Sequence, residues 1–157
     1  VSIHPGGRLV ATANNGRVAL RTVERRGGLT DTIECVAADR VRFSPDGTWL
    51  AGVGISVDGV KLWPVDGDAV VEPPKQLYVH DDPYLDSATK VVFSADGRRL
   101  VAASCTDVIV WEWAEGAPVP RACISFDAPV VTVAISPDST MLATAADLRP
   151  ILLWDLS

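Results

Sequence analysis

Helical periodicity is missing from this sequence: no segment of helical length repeats its apolar residues every 3.6 positions, which removes helices as a packing layer. Long apolar runs are missing as well. The longest, such as Val108 to Trp111, fall far below the ~20 residues of a membrane-spanning helix. Three cysteines, Cys35, Cys105 and Cys123, lie far apart without a CxxC pair, and their odd number argues against a disulfide framework and for a reducing cytosol. Asn14 and Asn15 are the only asparagines and neither begins an N-x-[ST] acceptor. Basic residues are outnumbered, 14 Lys and Arg against 20 Asp and Glu, and the net charge of −6 would repel a phosphate backbone, so nucleic acid is not an expected partner. The opening residues, Val1-Ser2-Ile3-His4-Pro5, form neither region of a signal peptide and read as a cut edge.

Chemical motifs are equally scarce. There is no G-x-x-x-x-G-K-[ST], H-E-x-x-H or G-x-G-x-x-G. Gly54-Ile55-Ser56-Val57-Asp58 starts like a nucleophile elbow but ends in Asp and lies between two strands, so Ser56 reads as a turn hydroxyl. His80, Asp81, Asp82 and Asp86 could gather around a hard cation, yet they lack the spacing of a calcium loop and read better as a solvated acidic loop. His4 stands in a turn position with no second His nearby and reads as a turn residue. The expectation is a chain with no enzymatic activity, no metal and no cofactor.

What the sequence does have is 48% hydrophobic residues and a repeat. Val41-Arg42-Phe43-Ser44-Pro45-Asp46-Gly47 recurs as Val91-Val92-Phe93-Ser94-Ala95-Asp96-Gly97 and Val133-Ala134-Ile135-Ser136-Pro137-Asp138-Ser139, and more loosely as Val1-Ser2-Ile3-His4-Pro5-Gly6-Gly7. The spacing is about 40 to 50 residues, the range of stacked repeat architectures. Each copy reads as strand, tight turn, strand: Pro presets φ, Asp bonds its own backbone, and Gly takes the left-handed conformation. Third strands follow at Val18–Arg21, Val60–Trp63, Val108–Trp111 and Ile151–Trp154, with Asn15-Gly16 and Asp58-Gly59 as hairpin signals before the first two. Weaker fourth strands read at Thr32–Ala37, Gln76–His80 and Ala122–Phe126.

Strands such as Val108-Ile109-Val110-Trp111 are apolar on both faces, so each sheet must be covered on both sides. Without helices, other sheets must provide the cover, which radial stacking of small meanders about an axis achieves, as does the rarer stacked-sheet solenoid. The series V-x-F-S-P-D-G, then L-A, then V-x-L-W-D resembles the WD40 repeat, and Trp154-Asp155 matches its signature dipeptide. The resemblance covers essentially the whole chain. It implies an all-β, WD40-like β-propeller, a partial ring of about four blades at 1–40, 41–90, 91–130 and 131–157, three of them four-stranded and the last without its outer strand. Departures are Trp63-Pro64, Trp111-Glu112 and Arg21 in place of Trp, with no Gly-His pair before any first strand. From the family's hydrogen-bond network the resemblance therefore carries over Asp58 with Trp63 and, less fully, Asp107 with Trp111, while Trp154 holds the third matched packing position.

In such propellers one rim gathers the turns between second and third strands with the links between blades, and partners commonly bind there. The resemblance thus implies partner-binding residues Asn14, Asn15, Arg17, Asp107 and Arg149, with Asp81, Asp82, Tyr84 and Asp86 on the insertion HDDPYLDSAT. Tyr84 between carboxylates has the character of an interface anchor. Trp113, which has no counterpart in the repeat, is a further candidate contact, and Cys105 reads as a buried structural thiol. The expected function is a cytoplasmic, bacterial scaffold or sensor module within a larger signalling protein. It would bind a protein partner, with the ring completed in cis or by self-association. Alternatives are a propeller enzyme at the central channel, disfavoured because the first strands offer Val, Phe and Ile rather than acids or His, and a purely structural assembly unit.

Overall fold

The computed structural model describes residues 1–14, 16–23, 38–54, 59–67, 69–71, 73–78, 88–114 and 116–157 in full, and the backbone over 29–36. All regular structure among them is strand. The first sheet is a meander of β1 (Ser2–Ile3), β2 (Leu9–Asn14), β3 (Arg17–Val23) and β4 (Leu29–Val36). The second holds β5 (Arg40–Phe43), β6 (Trp49–Val53) and β7 (Val60–Asp66), whose outer edge is shared by β8 (Ala69–Val70) and β9 (Lys75–Leu77). The third orders β10 (Lys90–Phe93), β11 (Arg99–Ala103), β12 (Asp107–Ala114) and β13 (Ala117–Ser125); the fourth, β14 (Val130–Ile135), β15 (Met141–Ala146) and β16 (Leu152–Asp155). Every pairing is antiparallel. No helix is long and apolar enough to cross a membrane.

Stacking follows from the two-faced apolar strands. Along β11, Leu100 and Ala102 enter the core shared with the second sheet, while Val101 and Ala103 enter the core shared with the fourth, and all four are fully buried. In β12, Ile109 and Trp111 point back to the second sheet and Val108 and Val110 forward to the fourth. The third core joins the first two sheets, with Leu9, Ala11, Val18 and Leu20 meeting Val41, Phe43, Leu50 and Trp63. The first strands lie side by side, β1 on β5, β5 on β10 and β10 on β14, so the four sheets share one inner edge. The architecture is all-β and propeller-like.

The matched tryptophans explain themselves in this register. Trp63 pairs across the sheet with Leu50, Trp111 with Leu100 and Trp154 with Leu142, and each pair packs into the core behind its own sheet. The indole N–H of Trp154 donates to Thr144 Oγ1 at 2.9 Å. Arg21, in the same position of the first sheet, stands on a face that no described sheet covers and is half-buried. The outward face of the fourth sheet is likewise open: Val131 is 52%, Ile151 70% and Leu153 66% exposed.

The repeated turns form as their residues dictate. Ser94 Oγ donates to Asp96 at 2.6 Å, the amide of Arg98 donates to the same carboxylate, and Ser94 Oγ accepts the amide of Arg99 at 2.8 Å. Ser44 with Asp46 and Ser136 with Asp138 repeat the pattern. Gly47 takes φ +77 and also lets the His4 ring of the first sheet approach, with Nε2 3.1 Å from the Gly47 carbonyl oxygen. An ideal Cβ at Gly47 would lie 2.2 Å from that nitrogen. His4 is thus a turn residue, as expected, which also ties the first sheet to the second. Ser139 holds the equivalent left-handed position at φ 63, and its Oγ accepts the amide of Asp96 in the neighbouring sheet.

Candidate functional site

Two loop classes gather on one rim because a meander returns its chain to the same end after each pair of strands. Hydrogen bonds join them. The amide of Gly16, in the β2–β3 turn, donates to Asp39 in the link between the first and second sheets at 2.9 Å. The β11–β12 turn accepts from the β13–β14 link, Phe126 N to Thr106 O at 2.8 Å, and from the start of β14, Val130 N to Cys105 O at 2.7 Å. Arg149, in the β15–β16 turn, forks onto Asp127 of that link, with Nη2 to Oδ2 at 2.6 Å and Nε to Oδ1 at 3.2 Å.

The expected rim residues divide into three groups. Asn14, Arg17 and Arg149 are exposed on this rim. Asp107 corrects its expectation as a contact residue: it is buried, its carboxylate accepts from Thr106 Oγ1 and Ser125 Oγ, and its amide donates to Ser104 Oγ. A carboxylate so enclosed holds a turn together and presents little to a partner. Asn15, Asp58, Asp81, Asp82, Tyr84 and Asp86 lie outside the described residues, as does His80, so the acidic insertion and the Asp58–Trp63 pairing have no described geometry. Trp113 is also placed differently from its expectation: it is half-buried against the core between the second and third sheets, with ring centroids 6.1 Å from both Trp49 and Phe93. Cys105, expected buried, is exposed.

Leu148 was missed. It is 97% exposed and takes φ 52 at the tip of the β15–β16 turn, between Asp147 and the Arg149–Asp127 pair. A leucine in the left-handed region is uncommon, and one both strained and solvated does no packing work. The available signal was an apolar residue between two polar ones at a hairpin tip, where no core can reach it.

On the opposite rim the turn carboxylates are electrostatically tuned. Burial pushes the Asp46 and Asp96 carboxyls up, but hydrogen bonds from Ser44 and Ser94 and from following amides together outweigh it and hold both below the ordinary carboxylate range. Asp138 is lowered chiefly by Ser136.

The shared inner edge forms a cleft of about 330 Å³ lined by Asp39, by Arg40 and Arg42 of β5, Lys90 of β10 and Thr132 of β14. The first strands are expected to offer Val, Phe and Ile rather than acids or His; the lining adds a feature outside that expectation, basic side chains. Val41 and Val91 are buried, while the alternating positions present Arg40, Arg42 and Lys90 to the cleft, because successive strand residues face opposite ways. Among the described residues no cluster of His, Cys, Asp and Glu suited to a metal ion occurs.

Comparison with known proteins adds the following. The family model "WD domain, G-beta repeat" matches residues 22–63, which take in β4 of the first sheet and then β5, β6 and β7 of the second. Human WD repeat-containing protein 90 is 33% identical over 98 residues, 62% of this chain and 5% of that protein. Among solved structures, a protein of Bacteroides fragilis assigned as a 6-phosphogluconolactonase superposes with a TM-score of 0.77 at 15% identity, over 96% of this chain and 51% of its own. A second, from Bacteroides uniformis and likewise assigned, gives 0.72 at 15% identity, over 95% and 50%. The chain therefore spans about half the length of these solved relatives.

The expectation of a chain without enzymatic activity is corrected by these neighbours, since both carry an enzyme assignment on the same architecture. At 15% identity the likeness itself carries the fold alone. The repeat match supports a protein-interaction module in general terms. With the repeated turns, the stacked meanders and the match over residues 22–63 together, the chain carries a WD40-type repeat at residues 22–63 and is similar to WD40-repeat proteins.

Proposed function

We propose that this chain is a four-blade part of a WD40-type propeller that binds a protein partner through the rim built from its β2–β3-type turns and inter-sheet links, within a larger signalling protein. The observation that carries the reading is Leu148, a solvated apolar side chain held at positive φ beside the Arg149–Asp127 ion pair. Apolar anchors ringed by polar groups dominate binding energy at interfaces. Asn14 and Arg17 add polar contacts on the same rim, and the insertion with Asp81, Asp82, Tyr84 and Asp86 adds an aromatic anchor among carboxylates. The open faces of the first and fourth sheets, with the half-length match to solved chains, support completion of the ring by further blades in cis or by a second copy.

The test is capture of a binding partner by the immobilised chain. Leu148→Asp and Tyr84→Ala should each weaken capture at least tenfold, about 1.4 kcal/mol, with thermal unfolding unchanged. Arg98→Glu, on the opposite rim, should leave capture intact. Equal loss from Arg98→Glu, or loss only in variants that also unfold early, overturns the rim assignment.

A second reading, catalysis on a small substrate at the inner cleft, is favoured by the enzyme assignment of both solved neighbours. Its test is hydrolysis of 6-phosphogluconolactone, followed by the acid that ring opening releases. A rate above spontaneous opening that Arg42→Gln abolishes supports it, and the spontaneous rate alone removes it.

A further inference from the structure

We infer that the inner cleft is a binding site for a phosphomonoester group carried by a small molecule. Its lining brings together three cations, Arg40, Arg42 and Lys90, in a chain whose net charge is −6. Arg40 and Arg42 sit two residues apart on β5, so both side chains leave the same face, roughly 7 Å apart along the strand. Lys90 is on β10, the strand beside β5 at the inner edge. Holding like charges this close in a concave site is unfavourable unless an anion joins them, and narrow clefts with low-dielectric walls focus the resulting field.

The pairing elsewhere in the molecule sharpens the point. Arg99 and Arg121 both reach Glu112, and Arg149 takes Asp127. Among the described residues, the three cleft cations form no ion pair and no side-chain hydrogen bond. The lining also holds one carboxylate, Asp39, which accepts the Gly16 amide and is outnumbered by the three cations. Thr132 adds a hydroxyl donor to the lining.

The ligand class follows from donor geometry and size. Guanidinium groups present planar forks that match phosphate oxygens two at a time, while an ammonium acts as a point charge, so two arginines and a lysine suit a compact dianion better than a single carboxylate. A cleft of about 330 Å³ lies at the lower end of small-molecule sites. Arg42 also borders a second depression of about 360 Å³ with Ile3, Phe43 and Phe93, an apolar surface on which the rest of the ligand can rest. The inference needs neither the rim reading nor turnover of the ligand.

Titration calorimetry of the full chain at low salt tests it with inorganic phosphate, glucose 6-phosphate, glucose and a deca-glutamate peptide as probes. Both phosphates should bind, glucose should not, and raising the salt should weaken binding as charge screening requires. Tighter binding of glucose 6-phosphate than of inorganic phosphate identifies a phosphomonoester; equal affinity identifies free phosphate and overturns the small-molecule assignment. Arg42→Gln and Lys90→Gln should each lower affinity about tenfold, Lys90→Arg should restore most of it, and Arg98→Gln, outside the cleft, should change nothing. Should a Gln variant fold poorly, a thermal upshift of the unaltered chain with glucose 6-phosphate, absent with glucose, supports the site, and no upshift with either overturns it. No phosphate binding, equal loss from Arg98→Gln, or preference for the acidic peptide also overturns the site. Rim variants such as Leu148→Asp should bind phosphate normally, so the two assignments fail separately.

Discussion

Leu62 and Leu153 occupy the same place in their repeats, one residue before Trp63 and Trp154, and both project forward from their sheets. Leu62 is fully buried against the third sheet, whereas Leu153 is 66% exposed on a face of the fourth sheet that no other described sheet covers. Replacing either with Ala removes the same atoms from the same strand position, so intrinsic strand preference cancels between them. For Leu62, lost transfer energy plus the cavity left between two sheets amounts to about 3 kcal/mol. For Leu153, only about a third of the side chain leaves a covered environment, which is worth ~0.8 kcal/mol. Urea unfolding should therefore show a fall in midpoint several times larger for Leu62→Ala, with unchanged slopes. Light scattering on the same samples establishes the oligomeric state of the chain. Equal losses in a monomeric chain would mean that the fourth sheet is covered, and the stacking order would be wrong. Equal losses in a multimer, relieved on dilution, would instead assign that face to self-association.

Other outcomes follow from the turns. Gly47→Ala should cost more than about 2 kcal/mol, combining a left-handed backbone with a clash against His4, and pairing it with His4→Ala should recover part of the loss by relieving the clash. Ser139→Gly should be nearly neutral, since relief of a strained φ offsets the lost bond from the Asp96 amide. Ser139→Ala should cost ~1 kcal/mol in thermal unfolding, because it keeps the strain and loses the bond. Asp46, Asp96 and Asp138 are held below the ordinary value of 3.8 when folded, so their contribution is complete above that pH and fades as pH falls through the lowered values. Acid titration of the variant carrying Asn at all three should show a shallower loss of stability below pH ~4 than the parent. Burial and the neighbouring Asp107 push the Cys123 thiol up, so in a Cys35→Ser, Cys105→Ser background its alkylation should rise steeply well above neutral pH, and sooner in the Asp107→Asn variant.

Most of the fold was legible because turn chemistry and two-faced strands are local facts. The strand-turn-strand repeats, the third strands and the need for sheet-on-sheet cover all follow from residue type and period; the turns and third strands recur in all four sheets, and cover on both faces is met in the second and third. The short β8 hairpin at Ala69–Val70 was not legible, since two residues carry no period. Of the site, sequence order placed Asn14, Arg17 and Arg149 on one rim. It could not show that Asp107 turns inward to Thr106 and Ser125, because inward and outward carboxylates look alike in a turn. Arg40, Arg42 and Lys90 were overlooked for a related reason: the apolar alternates Val41 and Val91 dominate the pattern, and charges facing a common axis are recognised only once several strands are set around it.

Native-state hydrogen exchange tests the stacking most directly, because protection reports what covers each strand. The amides of β11, with a sheet on either side, should exchange only through global unfolding. Those of β16, bare on one face, should exchange through local opening with a distinctly lower free energy. Equal protection of β16 and β11 in the monomeric chain would contradict the arrangement of sheets on which the rim and the cleft both depend.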